Sequence, residues 1–450
     1  MENFHITKEF SEEILAQVRE QRETELASVL DRLHAADIAE LFESFELEEA
    51  LYVTSLLDDE KRVNVLAELE PDVRESYLQS FSSDQIAKEF LQHMESDDAV
   101  DLLSELDPEQ AGEVIASIDD REHSLLLTSM MRYPDDAAGG LMASELIKVN
   151  INWDVRQCTE EIRQQAEEVS KVFTVYVVDD NDILLGIVSL KQIVLAKAST
   201  KISEIFESNV VSVNAYTSGE EVASKMTKYD LVAIPVVDAL NRLIGRITFD
   251  DVMDFVREEA DKDYQMLSGI SENVEVGDKV WVLSRARLPW LIIGLFGGVM
   301  SSIVIGGFEE EIARNVSLAF FMPLVMAMGG NAGVQSSSIV VQGLANNTVM
   351  GGSILPRLGK EFMVALINAL VCSAIALLYG LVSKVGYEIT IVVCISLFSA
   401  IIFASLMGAL IPLVLDIFKI DPALATGPFI TTSNDLLGLF IYFVTGHAVL

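Results

Sequence analysis

Three rhythms of apolar and polar positions follow one another along the chain, and each predicts its own kind of structure. Up to about residue 135, apolar side chains recur every three or four positions without strict alternation, which is the period of amphipathic helices. Short segments with similar apolar spacing return, among them DIAELF (Asp37–Phe42) and DQIAKEF (Asp84–Phe90). DDAVDLLSEL (Asp97–Leu106) and DPEQAGEVIASI (Asp107–Ile118) both open on acids, a helix-start signal because the helix dipole is positive there. The expected structure is a stack of short helices, a superhelix of weak repeats.

The second rhythm, over 140–258, alternates strand and helix. VYVVDDNDILLGIVSLKQI (Val175–Ile193) and AIPVVDALNRLIGRITFDDV (Ala233–Val252) share one plan: apolar strand, acidic turn, Leu-x-Gly, second strand, helix start. Val178, Asp179 and Gly186 map on Val237, Asp238 and Gly245, each 59 residues on. This duplication resembles a tandem pair of CBS domains (βαββα repeats), modules that commonly sense nucleotides or ions. The resemblance implies that Ser189 and Thr248 stand where such modules offer a hydroxyl to a ribose or phosphate. Asp251 matches the acid that follows in nucleotide-binding members, where the first repeat has Gln192. ATP is therefore a candidate ligand, and a pair serving only as a dimerising, moving scaffold is the alternative. Residues 250–270 (DDVMDFVREEADKDYQMLSGI) continue as a charged connecting helix with one apolar face of Val252, Phe255 and Val256.

The third rhythm is almost continuous. Apolar runs long enough to cross a bilayer, about 20 residues, fall near 288–308, 316–342, 360–384, 389–415 and 423–446. Five spans are expected. No apolar run opens the chain, so a cleaved signal peptide is not expected. Arg285, Arg287, Arg357, Lys360 and Lys419 fall in segments that positive charge would keep cytoplasmic; Arg314 and Lys384, accompanied by Glu309, Glu310, Glu311 and Glu388, fall in the opposite loops. The amino terminus is thus expected inside and the carboxyl terminus outside.

Charge sharpens the division. Of the 69 acids and 31 Lys and Arg, 61 and 24 lie before residue 281, and only 8 and 7 after it. Nearly all of the net charge of −38 sits on the first 280 residues. A surface that negative repels phosphate backbones and gathers cations, so nucleic acid is not an expected partner. Cys158, Cys372 and Cys394 have no metal-ligand or disulfide spacing, the five histidines form no cluster, and there is no phosphate-binding Gly-rich loop or nucleophile elbow. An enzyme is not expected.

The residue that concentrates the chemistry is Asp435, near the middle of the run Ala423–Val444. A charge there costs roughly 2.5–3.5 kcal/mol on insertion scales, so it is expected to face water or a cation. The alternative is a protonated or paired aspartate packing helices, but no Lys or Arg inside another span could partner it, Lys360 and Lys384 standing only at the ends of theirs. Before it run Asp421-Pro-Ala-Leu-Ala-Thr-Gly427-Pro428-Phe-Ile-Thr431-Thr432-Ser-Asn, hydroxyls and small residues beside a Gly-Pro pair that frees backbone carbonyls. Such hard oxygen donors suit Mg2+, which sheds water reluctantly and is usually held by one or two carboxylates through its hydration shell. In the second span, Met328-Gly-Gly-Asn331-Ala-Gly333-Val334-Gln335-Ser336 is read as interrupting an apolar helix to line a cavity, with close helix packing by small residues as the alternative. Gly294 and Gly298 form a G-x-x-x-G whose favoured reading is helix packing.

The order of acidic helical region, duplicated module, connecting helix and five spans resembles the MgtE family of magnesium channels. So do the segments Gly329-Gly-Asn-Ala-Gly333 and Asp421-Pro-Ala through Asp435. The resemblance covers essentially the whole chain. It implies a homodimer in the cell membrane with a pore on the two-fold axis, Asp435 as the pore acid, and Gly427, Thr431, Thr432 and Asn331 along the passage. It implies regulatory ions held by Asp97, Asp101, Glu220, Asp230, Asp251, Asp254, Glu259 and Asp263. The chain departs from some members at Val334, Gly427, Ser218 and Lys262. The expected division is an acidic helical domain (1–138), the CBS pair (139–252), a connecting helix and linker (253–280) and the membrane domain (281–450). The expected function is Mg2+ entry into the cytosol, shut when internal Mg2+ bridges the acidic domains. A secondary transporter coupling divalent cations (Co2+, Mn2+, Ni2+) to protons or sodium, and a non-conducting metal or nucleotide sensor, are the rivals.

Overall fold

The structure, a computed structural model, describes residues 6–42, 44–166, 169, 172, 174–271, 274, 278–345, 354–383, 385–422 and 427–450. Lys384, and residues 423–426 of the Asp421–Asp435 segment, lie outside the described residues. Packing divides the chain into two units, Met1–Arg257 and Glu258–Leu450.

In the first unit, short helices run from Lys8–Arg19 to Arg121–Met130. Side chains at their starts set the boundaries. Asp58 accepts a bond from the Lys61 amide, Ser82 and Gln85 form a reciprocal capping box, and Pro71 and Pro108 occupy first-turn positions where their missing N–H costs nothing. Within DQIAKEF the helix widens to a π-turn over Ile86–Leu91, which buries Ile86, Ala87, Phe90 and Leu91 together. Phe90 meets Phe81 and Tyr77 edge-on, and the Tyr77 hydroxyl donates to Thr54 at 2.8 Å.

Two three-stranded sheets follow. Strands β1 (Ile147–Asn150), β2 (Val175–Val178) and β3 (Leu184–Val188) form one; β4 (Val213–Asn214), β5 (Ala233–Val237) and β6 (Leu243–Thr248) form the other. Their hairpins are copies in register. Val175 faces Val188 as Ile234 faces Ile247, and Val178 faces Leu184 as Val237 faces Leu243, with an irregularity at the same step. Both turns are tied by an aspartate, Asp179 and Asp238, accepting two backbone N–H bonds, and both carry a left-handed residue, Asp182 and Asn241. The repeats join through a reciprocal pair: the Leu184 amide donates to Asn241 and the Leu243 amide to Asp182. The second repeat shares a continuous core with the helical region through Val213, Ile234, Val236 and Ile247, while the first keeps a core of its own around Val149, Val177 and Val188.

The helix Phe249–Leu267 buries Val252 and lays Phe255 over Gly219, where no Cβ would fit. Val256, expected on that apolar face, is exposed.

In the second unit, four helices among the described residues are long and apolar enough to cross a membrane: Val280–Gly307, Ser317–Leu344, Ile354–Ser383 and Tyr387–Ile417. The last of these is the central one, lined on its buried side by Ser396, Ala400, Ala404, Ser405 and Gly408, small residues that let neighbours approach. The final helix, Pro428–Val449, has 22 residues, a length that spans hydrocarbon. Its run of Thr431, Thr432, Ser433, Asn434 and Asp435 makes it less apolar than the other four.

Candidate ion site

The final helix begins at Gly427, whose positive φ of 61° suits glycine, and Pro428 takes the first helical position. The Thr431 hydroxyl donates to the Gly427 carbonyl at 3.0 Å. Thr431 and Asp435, four residues apart, share a helix face. Both reach Gly330, where an added Cβ would lie 3.0 Å from Asp435 Oδ1 and 3.3 Å from the Thr431 methyl. Asp435 is half-buried, and among the described residues no ion pair involves it. The arrangement is a single carboxylate beside a hydroxyl on a floor of glycine.

The flanking residues turn elsewhere. Asn434 is 3% exposed and lies on Gly333 so closely that no Cβ fits there; its Nδ2 has no hydrogen-bond partner among the described residues. The Gly333 carbonyl in turn presses on Gly408. Thr432 packs on Gly297 of the first long helix, and Asn331 opens on a separate cavity that Asp435 does not line. Two expectations change here. The Met328–Ser336 segment does not interrupt its helix, which runs unbroken from Ser317 to Ala345, because its glycines serve close packing. Among the described residues of the one chain, Gly294 and Gly298 meet nothing within 4 Å, and the glycine of that helix that packs within the chain is Gly297.

At the start of the final helix the connecting helix makes contact within the same unit. A Cβ on Gly427 would come 2.6 Å from the Leu267 carbonyl oxygen, and one on Gly269, at φ 82°, would come 2.8 Å from the Pro428 ring. The Ser271 amide and hydroxyl both donate to the Ala286 carbonyl, at 3.0 and 2.9 Å. Gln265 exchanges two bonds with the Val274 backbone.

The first unit holds a crowd of carboxylates. Burial, then the charges of Asp98, Asp251 and Glu95, holds Asp97 well above the usual carboxylate range. Asp98 is pushed up to about 7 by burial and by Asp101, Glu95 and Asp251, with Arg74 opposing. Asp254 is raised by burial, then by Asp251 and Asp250. Of the expected regulatory set, Asp251 acts on both Asp97 and Asp254, and Asp101 acts on Asp98 beside Asp97. Asp251 also caps its helix, accepting from the Thr248 amide (3.0 Å) and hydroxyl (2.6 Å). Ser189 caps the equivalent helix with Gln192, so both candidate nucleotide hydroxyls hold helix starts.

Glu220 and Asp230 stand at opposite ends of the helix Gly219–Tyr229, too far apart to share one ion. Glu259 is paired with Lys262 at 2.8 Å. Asp263 lies one residue beyond that pair, half-buried. Among the described residues, no three acids, histidines or cysteines close into a metal cage. A hydrated Mg2+ needs none, since one or two carboxylates usually suffice.

The sequence reading missed Glu95 and Asp98, although both lie in the acidic run around Asp97. It also missed a latch beside them. Buried Arg246 on β6 pairs with Glu95 at 3.1 Å and donates to the Glu145 carbonyl, while the Glu145 carboxylate accepts from the Ser96 amide and hydroxyl at 3.2 and 2.9 Å. A lone arginine within a strand was the available signal.

Residues 33–136 match the model of the MgtE intracellular N domain, 138–199 and 202–258 that of the CBS domain, and 322–445 that of a divalent cation transporter, MgtE. Over 431 residues the chain is 32% identical to the magnesium transporter MgtE of Bacillus subtilis, covering 96% of this chain and 95% of that protein. The chain belongs to the MgtE family. The MgtE of Thermus thermophilus is likewise 32% identical, over 94% of this chain and 95% of its own. Among solved structures, the cytosolic domain of the Mg2+ channel MgtE in complex with ATP is 30% identical and superposes with a TM-score of 0.51, covering 54% of this chain and 99% of that one. The soluble part of a magnesium transporter gives the same TM-score at 26% identity, over 56% and 98%. Membership and the four apolar helices among the described residues make this chain a membrane protein with a helical amino-terminal region, a CBS pair and a helical membrane region. A transporter family is not an enzyme class.

Proposed function

We propose that this MgtE protein admits Mg2+ through the membrane past Asp435 and is shut by Mg2+ gathered on its acidic cytosolic region. The carrying observation is the lone carboxylate of Asp435, on the face it shares with Thr431, unpaired among the described residues. The relatives named magnesium transporter support the choice of ion. The final helix serves as a fifth span, which gives a cytoplasmic amino terminus and an external carboxyl terminus. Two copies facing each other supply a second Asp435, so that a hydrated cation meets two charges without a dehydrated cage. Gly427 and Thr431 belong to the passage, whereas Thr432, packed on Gly297, and Asn331, on the separate cavity, stand behind its wall.

Regulation follows from the domain plan of 1–138, 139–252, 253–280 and 281–450. Carboxylates whose pKa is raised first by burial and then by one another's charge repel when ionised. Divalent cations relieve that repulsion, drawing on Asp97, Asp101, Glu220, Asp230, Asp251, Asp254, Glu259 and Asp263. The state that holds them best is favoured as internal Mg2+ rises. The contact of Leu267 and Gly269 with Gly427 and Pro428 carries the movement to the pore helix. The relative crystallised with ATP supports nucleotide binding to the CBS pair through Ser189, Thr248 and Asp251.

Purified protein in liposomes tests both parts. Mg2+ influx is expected at low internal Mg2+ and is expected to fall as internal Mg2+ reaches millimolar levels. No flux at all sinks the transport reading, and flux indifferent to internal Mg2+ sinks the gating reading alone.

A further inference from the structure

A cavity of 770 Å³ lies among the helices Ser317–Ala345, Ile354–Ser383 and Tyr387–Ile417, away from Asp435. One end is polar. Arg357 and Lys360, three residues apart and therefore neighbours on one helix face, line it together with Glu361. The Glu361 carboxylate accepts from the Ser336 hydroxyl at 2.6 Å, and the formal charges of Arg357, Lys360 and Glu361 sum to one positive. Beyond the mouth the walls are chiefly apolar, with Ile339, Val364 and Val371 exposed to whatever fills the space. From Arg357 to Cys372 the groove runs fifteen residues along a helix, a rise of about 22 Å. Half of a bilayer with its headgroup zone measures about 20–22 Å.

We propose that this groove is a binding site for an anionic phospholipid, its phosphate between Arg357 and Lys360 and one acyl chain against Val364 and Val371. Charge, length and wall chemistry agree on that occupant. Basic groups between membrane helices attract anionic headgroups, and an apolar slot one leaflet deep accepts a chain while excluding water. Gln335, beside Ser336, lines the level just below the charged mouth, where a glycerol ester carbonyl takes its amide hydrogen. The inference needs the helices to lie in a membrane and does not depend on what the protein conducts.

Native mass spectrometry of the full-length protein in detergent tests it, titrating palmitoyl-oleoyl phosphatidylglycerol, the matching phosphatidylcholine, and inorganic phosphate. Phosphatidylglycerol should be retained about tenfold more than phosphatidylcholine, and Arg357→Gln with Lys360→Gln should remove that preference. Val364→Trp, which fills the slot but keeps both charges, should also lower retention and decides the matter if the double variant does not fold. Equal retention of the two lipids, or an unchanged preference in these variants, overturns the proposal. Displacement by inorganic phosphate reduces the site to an anion site and overturns it too. So does efficient oxidative cross-linking of Cys372 between copies in a Cys158→Ser, Cys394→Ser background, because a second copy then covers the groove. Lipid retention is read apart from flux, so a protein that retains the lipid but conducts no Mg2+ leaves this site standing.

Discussion

Asp435 and Asp97 are both aspartates held away from bulk water, yet their surroundings are opposites. Asp435 has a hydroxyl and glycines for neighbours and, among the described residues, no ion pair. Asp97 has Asp98, Asp251 and Glu95 pressing on it. A site that passes a cation must attract it without keeping it, and one isolated carboxylate per copy does that. A site that registers the concentration of the same cation needs stored repulsion that binding relieves. The two neighbourhoods differ because the proposed tasks differ, although the ion is one.

That contrast can be broken in graded steps. The largest effect is expected at the lone acid. Asp435→Asn keeps the shape and removes the charge, and liposome Mg2+ flux should fall about 100-fold, the equivalent of roughly 3 kcal/mol. Retained flux ends the pore reading. Next comes the latch that holds the crowded region to β6. Arg246→Met removes the cation beside Glu95 and the donor to the Glu145 carbonyl; with Glu95 28% exposed, the cytosolic unit should lose about 2 kcal/mol of stability, read by denaturant unfolding.

A smaller effect belongs to pH. Asp98 rises from 3.8 to about 7, so its protonated form is the one folding favours. Its contribution is full below pH 3.8 and fades as pH climbs through about 7. In divalent-free buffer the cytosolic unit should therefore melt later at pH 5.5 than at pH 8. Roughly 1 kcal/mol surviving solvent screening moves the midpoint about 2–4 °C. Asp98→Asn should shrink the difference, leaving the part owed to Asp97 and Asp254, and millimolar Mg2+ at pH 8 should offset it. The smallest effect is at Lys262. Lys262→Gln should cost less than about 0.5 kcal/mol, as exposed pairs do, yet free Glu259 and deepen Mg2+ protection against proteolysis.

Legibility in the sequence followed the range of each interaction. The hairpin copies were plain because Val178, Asp179 and Gly186 repeat at a fixed offset, and the register follows from the alternation. Asp435 was plain because a charge within an apolar run has few explanations. The latch of Arg246 with Glu95 and Glu145 joins residues more than a hundred apart, and no local pattern encodes such a pairing. The Gly330 and Gly333 segment was misread for a related reason. Glycines that loosen a helix in water hold it close to neighbours in a membrane, and the partners, Asp435, Asn434 and Gly408, lie on other helices. Of the regulatory acids, those flanking Asp97 and Asp251 converge, whereas Glu220 and Asp230 are kept apart by the helix between them.

The meeting of Leu267 and Gly269 with Gly427 and Pro428 has almost no side chains in it. A carbonyl oxygen, two glycines at positive φ and one pyrrolidine ring make the joint. Chemistry that works on side chains, whether mutation pressure, covalent labelling or modification, finds little there to alter without bending the main chain itself. The side chains of the linkage, Gln265 and Ser271, hold it on either side of this joint, and an inhibitor aimed at the joint itself would have to wedge backbone from backbone.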